Sequence, residues 1–232
     1  MDSLLITCEH GGNRIPARYR PLFAGRRALL ESHRGYDPGS LAMAKALASA
    51  FGAPIVTSTV SRLLIDLNRS IGHPQLFSVA TRGAPVSVRK EIVALCYDPY
   101  RAEVERLLRQ ALLRGRRLVH ISSHSFTPML DGKARRADVG LLYHPGRSAE
   151  ARLCARWKAA LAAYAPELRV RRNYPYAGKG DGLTAYFRRR FPDGVYAGIE
   201  LEINQSIVVA AGRRWTTLRR VLVDSLRSAC AS

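Results

Sequence analysis

Four stretches of this chain carry side chains whose type and spacing suit metal-assisted or acid–base chemistry. The first is LLITCEHGGNRIP, residues 4–16. Residues 4–8 form an apolar, branched run that reads as a buried strand. Gly11 and Gly12 break it and let the backbone turn, which puts His10 at the carboxyl edge of a sheet. Ligands bind at that edge in open α/β folds. A neutral imidazole there is a natural zinc ligand, and Glu9 beside it is a candidate acid/base or supporting group. A histidine beside glycines is more often a turn residue, so the case rests on the other stretches. Asn68-Arg69 closes a second apolar run, residues 62–69, and His124 follows a third, RLVHISS. Both read as strand ends. In GIELEINQ, Glu200 and Glu202 share one strand face. Either they pair with arginines as structure, or one is a catalytic base.

The elements that must position these groups follow from periodicity. Asp37-Pro38-Gly39-Ser40 has the form of a helix start, with aspartate as N-cap and proline in the first turn. Leu41, Ala44, Leu47, Ala48 and Phe51 give that helix an apolar face, and Gly52-Ala53-Pro54 ends it. A strand at 55–60 completes a βαβ unit, which implies parallel neighbours. Residues 72–88 read as an irregular loop and 89–113 as helix interrupted at 97–100. Further strands are expected at 117–123, 138–143, 168–172 and 195–203, with helices at 150–164, 183–191 and 215–229. The order predicts an α/β fold: a three-layer α/β/α sandwich around a mostly parallel, mixed sheet, as one domain over residues 1–232.

Composition narrows the function classes. The longest apolar runs are too short to span a bilayer, and Met1-Asp2-Ser3 lacks a basic leader, so a cytoplasmic location is expected. Cys8, Cys96, Cys154 and Cys230 are scattered without a Cys-x-x-Cys pair and read as reduced structural thiols. The net charge of +19 would attract nucleic acid. Yet basic pairs such as Arg26-Arg27 and Arg219-Arg220 are dispersed and not interleaved with aromatics, as an RNA-binding surface requires. Only five of the 37 basic residues are lysine, a skew that a GC-rich coding sequence also produces. We read a solvated basic surface that helps draw in an anionic substrate.

EHGGNRIP, YDPGSLAMAKAL, SRLLIDLNRS, YDPY, ISSHSFTP, NYPYAG and LEINQSIV together resemble the N-formylglutamate amidohydrolases, relatives of aspartoacylase and the zinc carboxypeptidases. The resemblance runs from Cys8 to about Val208 and implies a zinc-carboxypeptidase-like, phosphorylase/hydrolase-like fold. It implies one zinc ion held by two histidines and a carboxylate, with a position open for water. His10 and His124 match the histidines. Relatives often place a glutamate three positions after the first histidine, where this chain has Asn13. Asp37, at the opening of the first helix, takes that place here, with Glu9 as the fallback; from the residues alone Asp37 reads equally as a plain cap. Asn68 and Arg69 match the pair that grips a substrate carboxylate. Arg62 is the candidate second cation or oxyanion donor, and Glu202 the general base. Asn173 and Tyr176 in NYPYAG join them as substrate-binding candidates. Where relatives often carry histidine after Pro-Tyr, this chain has Arg101, which bears on specificity. The implied activity is hydrolysis of N-formyl-L-glutamate to formate and glutamate in histidine degradation. Its rivals are another N-acyl amino acid or peptide end on the same fold, and a basic nucleic-acid-binding protein with a degenerate site. The sequence leaves the oligomeric state open.

Overall fold

The computed structural model describes residues 3–113, 117–210 and 212–231; Met1 and Asp2, part of the start read above, lie outside them. In chain order the elements are β1 (Ser3–Cys8), α1 (Arg27–Glu31), α2 (Ser40–Phe51), β2 (Ile55–Thr57), α3 (Val86–Ile92), α4 (Asp98–Leu113), β3 (Leu118–Phe126), β4 (Met129–Leu130), β5 (Lys133–Ala134), β6 (Val139–Leu142), α5 (Ser148–Tyr164), β7 (Val170–Arg172), α6 (Leu183–Arg188), β8 (Tyr196–Asn204), α7 (Gln205–Val209) and α8 (Gly212–Ala231). Six strands form one sheet in the order β2-β1-β3-β8-β6-β7. β2, β1, β3 and β8 run parallel, and β6 returns antiparallel to β8. β3 is buried along its whole length.

Helices cover both faces, which makes the three layers. On one face Met43, Leu47, Trp157, Leu161, Leu222 and Leu226 of α2, α5 and α8 meet Ile6, Ile121, Ile199 and Leu201. On the other, Ile92, Val104, Leu108 and Phe187 of α3, α4 and α6 pack with Leu64 and Ile65 against Leu5, Leu118 and Tyr196. Alternation along each strand explains the split. The second face changes character along its length. From Leu5, Leu118 and Tyr196 it continues through Thr7 and Glu9, through His120, Ser122 and His124, and through Gly198, Glu200 and Glu202. Apolar at the amino edge and polar at the carboxyl edge, this face positions the site.

Three sequence expectations are corrected here. Residues 62–69 are not a strand but a series of turns. Leu63, Leu64, Ile65 and Leu67 bury as expected, yet Asp66 Oδ1 accepts the Asn68 N–H at 2.9 Å and bends the chain locally. Nor is Asp37 the cap of α2. The residue before the helix is Gly39, in the left-handed region at φ 82°, and the Asp37 side chain is turned toward the histidines. The chain does not break at 97–100 either. Pro99, which lacks an N–H, is preceded by one wide π turn over Val93–Tyr97, and the helix continues. Gly52 ends α2 as read, at φ 57°, its N–H reaching the carbonyls of Ala48 and Ser49. All four cysteines are free.

Candidate metal centre

His10, Asp37 and His124 arrive from three different elements: the loop after β1, the turn before α2, and the seventh residue of β3. One ligand-capable atom from each lies within 4.8 Å of the others, and all three residues are buried. Asp37 Oδ2 stands 3.3 Å from His10 Nδ1 and 2.9 Å from His124 Nδ1. Donors around a tetrahedral ion with bonds of 2.0–2.1 Å sit about 3.3 Å apart, so these two edges have the scale of a metal site.

The far nitrogens are held from outside. His10 Nε2 is 2.7 Å from Asp66 Oδ1, and His124 Nε2 is 2.9 Å from Glu9 Oε2. Arg62 bridges the carboxylates around His10, with Nη2 2.7 Å from Asp66 Oδ2 and Nη1 3.4 Å from Asp37 Oδ1. Carboxylates behind metal-ligating histidines fix the ring and raise its basicity. Glu9 therefore lies on the outer side of His124, outside the cluster of His10, Asp37 and His124. Asp66 is not among the candidates named from the sequence. Its signal was there, since a lone carboxylate inside LLIDL must find a partner if it buries.

Electrostatics agree with a cation between these groups. Burial favours neutral Asp37, but the charges and hydrogen bonds of His10 and His124, with Arg62, outweigh it and hold its carboxyl well below the usual range. Asp66 is lowered likewise by Arg62 and His10 against burial. Glu9 is lowered by His124 and Ser122 against burial. Burial would push His124 toward neutrality, yet hydrogen bonds to Asp37 and Glu9 raise it well above its ordinary value. With both histidines neutral, as metal ligands must be, three carboxylates face one guanidinium, an excess of two negative charges that a divalent ion matches.

Glu202 stands in direct register with His124 on the neighbouring strand. Burial, reinforced by the negative charges of Asp37 and Glu200 and relieved in part by His124 and Arg62, raises its pKa to about 8. Its Oε2 is buried and has no hydrogen-bond partner. That orphaned oxygen beside a His-Asp-His donor set fits a metal and the water that accompanies it. Glu200 forms no ion pair with an arginine among the described residues; its Oε1 accepts the Thr184 hydroxyl at 2.7 Å.

The remaining candidates are distributed less tightly. Asn68 Oδ1 accepts the Leu183 N–H at 2.6 Å, and its Nδ2 lies 3.5 Å from His124 Nε2. Arg69 Nη1 donates to the Asp181 carbonyl, and among the described residues Arg69 forms no ion pair. Asn173 Oδ1 accepts the N–H groups of Tyr143 and Gly178, and Tyr176 accepts from Arg135, which stacks on its ring. Neither hydrogen-bonds to His10, Asp37 or His124. Arg101 is buried between the rings of Tyr97 and Tyr186 and donates to the Arg69 carbonyl. No helix among the described residues is long and apolar enough to cross a membrane.

A model of the N-formylglutamate amidohydrolase family matches residues 2–209. Among solved structures, a gene product of Agrobacterium tumefaciens, Atu2144, aligns over 99% of this chain and 91% of its own, at 28% identity and a TM-score of 0.83. An N-formylglutamate amidohydrolase from Ralstonia eutropha JMP134 aligns over 100% of this chain and 94% of its own, at 19% identity and a TM-score of 0.73, and so shares the fold. No curated protein matches.

Proposed function

Because the chain belongs to the N-formylglutamate amidohydrolase family, we propose that it hydrolyses the amide of a small N-acyl amino acid, N-formyl-L-glutamate first among them. One zinc ion held by His10, Asp37 and His124 is part of that reading. The observation that carries it is the buried Glu202 carboxylate, its Oε2 without a partner, in register with His124. A bound divalent ion polarises the amide carbonyl and lowers the pKa of water.

The chain's own groups do the rest. Glu202 Oε2 takes the proton of the water that attacks the acyl carbon and delivers it to the leaving nitrogen. Arg62, 28% exposed and braced by Asp66 and Asp37, lies at the rim of the site as a donor to the carbonyl oxygen as its charge grows. Asn68 Nδ2 and the Arg69 guanidinium, which forms no ion pair among the described residues, take the substrate carboxylate. Asn173 shapes the loop that presents Tyr176 at the substrate side.

The test is formate release from N-formyl-L-glutamate by protein of measured zinc content, before and after chelation, with Glu202→Gln alongside. We expect about one zinc per chain, loss of activity on chelation and recovery on re-addition. Glu202→Gln should retain zinc and lose about 10²–10⁴-fold in rate. Full activity in Glu202→Gln would overturn the assignment of the base.

A further inference from the structure

Glu9 is fully buried, yet among the described residues it bonds to no arginine or lysine. Its Oε1 accepts the Tyr100 hydroxyl at 2.7 Å. Its Oε2 accepts the Ser122 hydroxyl at 2.5 Å and lies 2.9 Å from His124 Nε2. Among the described residues its one ion-pair partner is therefore His124. Burying a carboxylate costs several kcal/mol unless charge and hydrogen bonds repay it, and here the repaying charge comes through an imidazole.

The two histidines differ in how their outer carboxylates are supported. Asp66, behind His10, shares its charge with Arg62 and also takes the Asn68 N–H. Glu9, behind His124, has only hydroxyls besides the imidazole. Its charge is thus shared between these hydroxyls and His124, with no guanidinium paired to it among the described residues. We infer that Glu9 is the positioning residue that turns His124 with Nδ1 toward the metal site and raises that nitrogen's donor strength. The inference rests on the metal reading above but not on the identity of the substrate.

Glu9→Gln is a fair probe because its new neighbours can adapt. Tyr100 Oη also lies 3.3 Å from the Val56 carbonyl, so the phenol can donate there and accept from the amide. Zinc and cobalt(II) dissociation constants would be measured by chelator competition at fixed pH for wild type, Glu9→Gln and Tyr100→Phe. Visible absorption of the cobalt form gives the ligand geometry independently of turnover. We expect Glu9→Gln to bind both ions about 10–100-fold more weakly, with altered cobalt bands, while Tyr100→Phe stays within a few-fold of wild type. Glu9→Gln binding as tightly as wild type, or Tyr100→Phe losing as much as Glu9→Gln, would overturn the inference. Should Glu9→Gln not fold, Glu9→Asp withdraws the carboxylate by one methylene; a tenfold loss of affinity or more supports the inference, and wild-type affinity overturns it. Wild type that takes up neither ion sinks the metal reading together with this one. Tight binding without formate release sinks only the proposed substrate.

Discussion

Replacing Glu202 by glutamine should stabilise the metal-free protein while it disables the enzyme, and the gain should grow with pH. In the native protein the Glu202 pKa is raised from an ordinary 4.5 to about 8, burial being the main cause. The native state therefore holds a proton that the unfolded chain releases between these values. Glu202 contributes its full stability below pH 4.5, and that contribution is lost as pH rises through 8. At about 1.4 kcal/mol for each tenfold difference in proton affinity, the loss is on the order of 3 kcal/mol at pH 7 and on the order of 5 above pH 8. Glutamine has the same shape and never ionises, so the variant lacks this term. The assay is urea unfolding of both proteins in chelator at pH 5, 6, 7, 8 and 9. Groups that do not interact with Glu202 titrate alike in the pair, so the difference in unfolding free energy reports Glu202 together with its coupling to His124, Asp37 and Glu200. It should tilt toward the variant by about 1.4 kcal/mol per pH unit up to pH 8 and then level off. A difference that stays flat from pH 5 to 9 would show that Glu202 is not forced to hold a proton, and the argument from its burial would fall.

Other consequences are open to test. Asp66→Asn, which removes the carboxylate 2.7 Å from His10 Nε2, should weaken zinc binding about tenfold or more by chelator competition. Zinc uptake at pH 7 should release close to two protons, because His124 is held well above its ordinary value and Glu202 near 8; calorimetry in buffers of different ionisation enthalpy reads the number, and none would refute it. Gly140→Ala should destabilise by about 2 kcal/mol or more in thermal or urea melts, since a Cβ there would run into the Tyr174 carbonyl oxygen, a backbone atom that cannot step aside. If the +19 surface is unspecific, binding to duplex DNA should weaken steeply between 50 and 200 mM salt, and salt-resistant binding to one sequence would contradict it.

Most of the framework could be read in the sequence because it obeys short-range rules. Five of the six sheet strands coincide with branched apolar runs, the exception being the short edge strand β7 with its two arginines, and α2 ends at Gly52 where a left-handed residue is needed. Residues 62–69 misled because LLIDL is as apolar as a strand. The deciding interaction is Asp66 with the Asn68 N–H, a local bond that outweighs β preference. The Asp37 side chain could not be assigned by pattern. A cap and a ligand occupy the same place in the sequence, and only the long-range approach of His10 and His124 separates them. Glu9 was similarly ambiguous, since which side of an imidazole it meets depends on how β1 and β3 pair.

That pairing has a consequence for how the chain reaches its native state. β1, β3 and β8 are aligned so that Glu9, His124 and Glu202 share one face and Cys8, Ile121 and Leu201 the other. A slip of β3 by one residue would exchange its faces, driving His120, Ser122 and His124 into the layer occupied by Trp157 and Leu222. Several hydrogen bonds and a charge would be stranded in hydrocarbon at once, a penalty far above that of a slip in a strand apolar on both sides. The residues gathered at the carboxyl edge thus also act as a proofreading code for assembly. A molecule in the wrong register is not a slightly poorer catalyst but an unstable one, open to clearance before it accumulates.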